Sequence, residues 1–415
     1  MIVSQHDRDI LRRLAERKAK IASLPVQKQR NDMWTRLNGL KKVKPMVWIF
    51  EVPWHEMNVN DELTLECESE FCRNFENDLR RELYQWDHMQ CDMVVAPVIP
   101  VSPVVQDTGF GLSEEVDIVR TDTVSDVVSR HFYIQIQDEH DIEKIKMPEV
   151  TLDQKAWDYN HCLASDIFDG IIPVERAGIK WTSIAPWDFL VRLTGVDNIL
   201  MDLSVRPDYV HKLIDRMTRG YLYRLEQYEK LNLLALNNET WLGGGPQFTD
   251  ELPQPDCNPS RIRPIDMWGR TMSQIFSSVS PAMHEEFALQ YECRWLNRFG
   301  LTYYGCCEPL DRKVDILRKH VPNLRKISMS PWCNLDLAIE NVRTDYVFSL
   351  KTNPAVLAED KWHPEAVSRD LERTLARLKG LHVEIIMKDI STVRYKPERL
   401  WDWAKIAMET ADKTA

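Results

Sequence analysis

A chain of 415 residues with 53 Lys and Arg against 64 Asp and Glu carries a formal net charge of -11. That balance argues against a nucleic-acid binder, and a mean hydropathy of -0.39 without a long apolar run argues against a membrane span. The length suits one large domain, such as a β/α barrel with insertions.

The start, Met1-Ile2-Val3-Ser4-Gln5-His6-Asp7, is polar and lacks a signal-peptide core. Nine scattered cysteines, at 67, 72, 91, 162, 257, 293, 306, 307 and 333, read as reduced thiols of a cytoplasmic protein. Charge is uneven: residues 1–45 hold 12 Lys and Arg against 4 Asp and Glu. This basic stretch reads as an N-terminal helical arm packed on the acidic body or on a partner subunit.

In chain order, Ile10, Leu11, Leu14 and Ile21 predict a helix over 6–24, ended by Pro25, and a second helix follows over about 27–40. Met46-Val47-Trp48-Ile49-Phe50 is a short apolar run of the kind expected for a parallel strand buried on both faces. A helix over 61–88 leads to a second such run, 93–99. Residues 103–160 are mixed and rich in β-branched residues, and read as an inserted small sheet or cap over a pocket. Further strands are predicted at 179–184, 231–236, 273–279, 301–304, 324–329, 346–350 and 383–387, and a helix at 397–411 closes the chain. Nine candidate strands alternating with helices imply an α/β fold with a parallel sheet, best met by a (β/α)8 TIM barrel over 46–415. One strand then belongs elsewhere. No G-x-G-x-x-G follows a strand, and Gly243-Gly244-Gly245 is not followed by Lys and Ser or Thr, so dinucleotide and P-loop folds are not indicated.

In a barrel, the groups at the strand C-termini share one pocket. Tyr303-Tyr304-Gly305-Cys306-Cys307-Glu308 is the sharpest such exit. Thiolates and a carboxylate there suit a metal or a nucleophile, and alternation along a strand points only one of the two cysteines into the pocket. Lys388-Asp389 ends the last strand, offering an anion-binding ammonium and a base or ligand. Asn237, Asn238 and Glu239, followed by Trp241 and three glycines, suit a recognition loop. Trp54, His55, His284, Trp332 and Asn353 complete the candidate lining. Tryptophans near strand exits would give an aromatic floor for a flat or methylated ligand. His382 precedes its strand, toward the bottom of a barrel, which favours a structural role.

The order of segments resembles the uroporphyrinogen decarboxylase-like superfamily, in the branch related to corrinoid-dependent methyltransferases. The resemblance lies in Trp181 to Gly195, Arg206-Pro207-Asp208-Tyr209-Val210-His211, Ser277 to Pro309 and Leu350 to Pro354, within about residues 180–400. It implies a (β/α)8 barrel, zinc held by a His-x-Cys pair and a later Cys, a corrinoid on a partner protein as methyl donor or acceptor, and a homodimer. The pair falls on Tyr304-Gly305-Cys306 or Gly305-Cys306-Cys307, so the histidine is absent, and no cysteine occurs among Lys388 to Ser391. Any metal would draw instead on Cys306 or Cys307 with Glu308, Asp389 or His382. The leading expectation is methyl transfer between a small methylated substrate and a corrinoid protein. Glu239 and Asn237 would hold the substrate, and Glu308, Lys388 or Asp389 would supply a proton. A lyase or decarboxylase for a small carboxylic acid, and a non-catalytic corrinoid or tetrapyrrole carrier, are the alternatives.

Overall fold

The structure is a computed structural model that describes residues 3–120 and 128–414. Helices Gln5–Ala22 and Pro25–Asn38 open the chain. The first is capped by Ser4, whose hydroxyl accepts from the Asp7 N–H. Its basic side chains bind the body of the same chain: Arg8 meets Asp166 at 2.5 Å and Lys18 meets Glu82 at 2.9 Å.

The strands, in chain order, are β1 Met46–Ile49, β2 Ile99–Val101, β3 Val105–Asp107, β4 Val116–Val119, β5 Ser129–Phe132, β6 Val150–Leu152, β7 Val174–Arg176, β8 Ser183–Ile184, β9 Trp268–Thr271, β10 Leu301–Tyr304, β11 Leu324–Met329, β12 Val347–Lys351 and β13 His382–Met387. Seven form one parallel sheet in the order β1-β13-β12-β11-β10-β9-β8. β1 and β8 are its edges. Helices Val314–His320, Leu335–Val342, Pro364–Arg377 and Glu398–Lys413 lie between or after its last strands.

Five sequence expectations change. Residues 93–98 form no strand, because side chains of the second helix take their backbone groups: Gln27 accepts from Val95 N–H and Arg30 donates to the Met93 carbonyl. The run at 231–236 makes only an isolated bridge, Leu234 to Ile179, and residues 179–184 are a strand only at Ser183–Ile184. The strand expected at 273–279 is really β9, five residues earlier, where Gly269 and Arg270 interrupt the apolar run; Gln274–Ser278 is a short 3-10 turn. Helix Glu70–Met89 begins at the Ser69 cap, so 61–69 is loop. The insertion at 103–160 holds two antiparallel pairs, β3 with β6 and β4 with β5, and the start of helix Gln154–Phe168.

The main sheet sorts its residues by the two-residue period of a strand. Tyr304, Ile327, Met329, Phe348, Leu350, Val383, Ile385 and Met387 belong to one large apolar cluster with the last helices. The opposite face carries Arg270, Tyr303, Lys326, Ser328, Ser349, Lys351, Glu384 and Lys388, all buried. Polar groups so deep must be paired. Lys326 Nζ lies 2.8 Å from Glu384 Oε2, Lys351 Nζ donates to the Gly243 carbonyl at 2.6 Å, and the Tyr303 hydroxyl meets Ser349 Oγ at 3.3 Å.

The glycine loop presses on this polar face. Gly243 has φ +94°, and a Cβ there would lie 2.3 Å from the Arg270 guanidinium carbon; a Cβ on Gly244 would lie 2.3 Å from Glu384 Oε1. The triple glycine is a packing requirement of a charged interior. Gly244→Ala should therefore destabilise the fold by about 1–3 kcal/mol, the range for overpacking. Chemical denaturation checks this, and an unchanged midpoint would mean that the loop can withdraw freely.

Candidate functional site

The polar face of the sheet emerges at the strand C-termini as a compact charged cluster. Arg270 leaves β9 and its Nε and Nη2 donate to the Gly305 carbonyl at 3.2 and 2.9 Å. Gly305, at φ +96°, turns the chain out of β10. The following Cys306 presents its sulfur to Lys388 Nζ, 2.8 Å away, at the end of β13. Cys307 Sγ is 3.6 Å from Cys306 Sγ and 3.0 Å from Asp389 Oδ2. Asp389 receives the Lys388 ammonium at 3.3 Å, and its own N–H donates to Glu51 Oε2 at 3.1 Å, just past β1. Both Glu51 and Asp389 hold positive φ, 65° and 55°, a conformation uncommon for residues with side chains and concentrated at functional sites.

Cys306, Cys307, Lys351, Lys388 and Asp389 line one cavity of about 360 Å³, with Trp332 and Asn353 also in its wall. Trp332 is 73% exposed. None of residues 103–160 lines this cavity among the described residues.

The electrostatics favour a reactive sulfur. The Cys307 S–H beside it, then the Arg270 and Lys388 charges, outweigh burial and hold the Cys306 thiol well below its ordinary value. Cys307 moves the opposite way, because the charged Cys306 sulfur and burial both oppose its ionisation. Burial works against the Lys388 charge, but the neighbouring sulfurs and carboxylates outweigh it and keep the ammonium protonated. Lys351 is different: burial, helped by the Lys388 and Arg270 charges, brings it down to about 7. It can therefore gain or lose a proton near neutrality.

Glu308 does not face this cavity. It is fully buried and accepts backbone N–H groups from Cys306 at 2.9 Å and Ser273 at 3.2 Å. Burial and the charged Cys306 sulfur raise its carboxyl to about 7. Its chemistry is to fix the Cys306 loop from behind.

Several expected residues lie elsewhere. Asn237 is buried as a brace: its amide donates to the Trp268 carbonyl and Thr182 Oγ1 and accepts from Trp268 N–H. Asn238 donates to the Leu252 carbonyl, and Glu239 is exposed beside Lys180 at 3.7 Å. His284, a candidate for the lining, is completely buried, 2.6 Å from the Tyr304 hydroxyl and 3.2 Å from Lys313 Nζ. Trp54 and Trp241 line a second cavity of about 650 Å³ beside β1. There Trp241 packs at a tilt against Trp48, with 5.6 Å between ring centres. His55 sits half-buried in the turn Trp54–Glu56, 3.6 Å from Glu56. His382 begins β13 and Lys388 follows its end, about 20 Å apart at the usual rise per residue.

Zinc, the metal implied by the resemblance, takes thiolate, imidazole and carboxylate ligands. The residues present do not fit it. His382 is at the wrong end of its strand, Glu308 is turned to backbone N–H groups, and the Lys388 ammonium occupies the space against Cys306 that a cation would need. Among the described residues no three His, Cys, Asp or Glu side chains converge as ligands.

Sequence reasoning missed Arg270 and Lys351. The signal for Lys351 was present in Phe348-Ser349-Leu350-Lys351, where polar residues alternate with apolar ones inside a strand that is otherwise buried; the short run Trp268-Gly269-Arg270-Thr271 offered none for Arg270.

No protein-family model and no curated protein matches the sequence. Among solved structures, the fold is similar to that of a methyltransferase from Methanosarcina mazei. The TM-score is 0.50 with 10% sequence identity, and the alignment covers 93% of this chain and 98% of that chain. The likeness is one of fold: an α/β architecture built on a parallel sheet. No helix among the described residues is long and apolar enough to cross a membrane.

Proposed function

We propose that this chain is a methyltransferase of the uroporphyrinogen decarboxylase-like superfamily, built on a (β/α)8-type barrel, that takes a methyl group from a small anionic methylated substrate. The observation that carries this reading is Cys306: a sulfur held ionised by Cys307, Arg270 and Lys388 in the wall of a cavity at the strand C-termini. A thiolate is a good nucleophile toward a methyl carbon, and here lysine and arginine supply the positive charge that zinc supplies elsewhere.

In this mechanism Lys388 and Lys351 draw the anionic group of the substrate into the cavity. Cys306 Sγ attacks the methyl carbon as the bond to the departing oxygen or nitrogen breaks. Lys351, near neutral in its titration, gives that atom a proton. Glu308 and Ser328 hold the Cys306 backbone in place, Ser328 Oγ donating to its carbonyl at 2.6 Å. A corrinoid on a separate protein would meet Trp332 and Asn353 at the open wall of the cavity, and would supply a cobalt centre able to accept the methyl left on the Cys306 sulfur, which returns that sulfur to a thiolate.

The test supplies cob(I)alamin with a panel of methylated small acids and follows the visible spectrum for methylcobalamin. Turnover by the native chain that falls at least about 100-fold in Cys306→Ser is expected, in the range for loss of a nucleophile. Product formation without corrinoid dependence would favour the decarboxylase or lyase reading. Tight tetrapyrrole binding without turnover would favour a carrier.

A further inference from the structure

The two neighbouring thiols support a second chemistry that does not depend on methyl transfer. Cys306 Sγ has Lys388 Nζ at 2.8 Å and Cys307 Sγ at 3.6 Å, and Lys351 lines the same cavity. An anionic electrophile attracted by the lysines meets the Cys306 sulfur in the cavity wall. The adjacent Cys307 is shielded from reaction by its contact with Asp389 at 3.0 Å, which favours its protonated form.

We propose that Cys306 is a site of reversible S-thiolation by anionic low-molecular-weight disulfides, of which glutathione disulfide is the probe, and that the mixed disulfide persists without passing to Cys307. The Cys306 thiolate attacks one sulfur of the disulfide. A new S–S bond forms as the disulfide's own S–S bond breaks, and the other half leaves as a thiolate that takes a proton from water. Cys306 is oxidised and the probe is reduced to one free thiol. Closure to a Cys306–Cys307 disulfide is disfavoured by geometry. Consecutive Cα atoms across a trans peptide are about 3.8 Å apart, short of the roughly 4.4–6.8 Å that an unstrained disulfide spans.

This modification would close the cavity by filling it and removing its nucleophile, so the site would respond to the thiol–disulfide balance around it.

The experiment treats the reduced full chain with glutathione disulfide at pH 7 and reads intact mass, then maps the modified peptide. The expected result is one glutathione per chain, on Cys306, removed by dithiothreitol, retained in Cys307→Ser and absent in Cys306→Ala. Lys388→Met should slow the reaction by about tenfold, as the sulfur becomes harder to ionise. The peptide map of the native chain decides the question even if a variant fails to fold. Loss of two thiols without added mass, an adduct on Cys162 or Cys333 in place of Cys306, or no adduct under excess probe would each overturn the proposal.

Discussion

Replacing Lys326 by Met is expected to destabilise the fold by about 3–5 kcal/mol, the cost of leaving a buried charge without its partner. Lys326 and Glu384 are 1% and 0% exposed and 2.8 Å apart. They stand on the inner face of β11 and β13, with the glycine loop packed against Glu384. Burial pushes the Glu384 carboxyl up, but Lys326 and then Lys351 outweigh it, so it stays below its ordinary value of 4.5. A carboxyl depressed in the folded state adds stability above its unfolded pKa, and that stability is lost as the pH falls through the folded value. In Lys326→Met the main opposing charge is gone, and burial then raises the folded pKa. The sign reverses: the remaining stability is greatest below about 4.5 and is lost as the pH rises. The deficit of the variant should therefore shrink on acidification. Equilibrium unfolding at several pH values measures it. A double variant, Lys326→Met with Glu384→Leu, should recover much of the loss, because an apolar pair of similar volume leaves no orphaned charge. A single variant within about 1 kcal/mol of the native chain at neutral pH would show that this pair contributes little.

The same pair shows what the sequence could and could not reveal. The parallel sheet was legible because β1, β10, β11, β12 and β13 are short runs rich in apolar residues, spaced by helical segments. The apolar halves of those runs pack on helices, and that is what hydrophobicity records. The polar halves were harder to read. Lys326, Ser349 and Glu384 look like interruptions until the two faces are separated, and only the pairing of strands brings them together across the sheet. β9 escaped for the same reason, since Arg270 is both its signature and the break in its pattern. At the site, Cys306, Lys388 and Asp389 were visible as reactive groups at strand ends. Their place around one pocket followed from the barrel reading, but their pairwise contacts did not, because those depend on β10 and β13 being brought to one cavity with β11 and β12 between them. Asn237 and His284 were equally plausible, and tertiary hydrogen bonding, not local sequence, turned them inward, while Glu239 stands exposed beside Lys180.

Lys388→Met should change the reactivity of Cys306 in opposite directions at low and high pH. In the native chain, Cys307, Arg270 and Lys388 together keep the Cys306 thiol below its ordinary 9.0. Its sulfur is then ionised at pH 6 and open to alkylation by iodoacetamide, while an ordinary thiol at that pH is almost entirely protonated. Removing the Lys388 charge moves the thiol up toward 9.0, so alkylation at pH 6 should fall by about tenfold or more. Above pH 9 both chains hold the thiolate, and the variant should react as fast or faster, because a more basic thiolate is intrinsically more nucleophilic. Cys307→Ala removes the largest single contribution and should shift the profile the same way. The linked stability has a definite sign as well. A thiol depressed in the folded state contributes above its unfolded value and loses that contribution as the pH falls through the folded one, so the native chain should gain stability relative to Lys388→Met as the pH rises from acid toward 9. Peptide mapping of alkylated Cys306 across pH provides the measurement. Parallel profiles for the native chain and the variant would sink the assignment of Lys388 as the cation that activates this sulfur, leaving Arg270 and Cys307 to account for it.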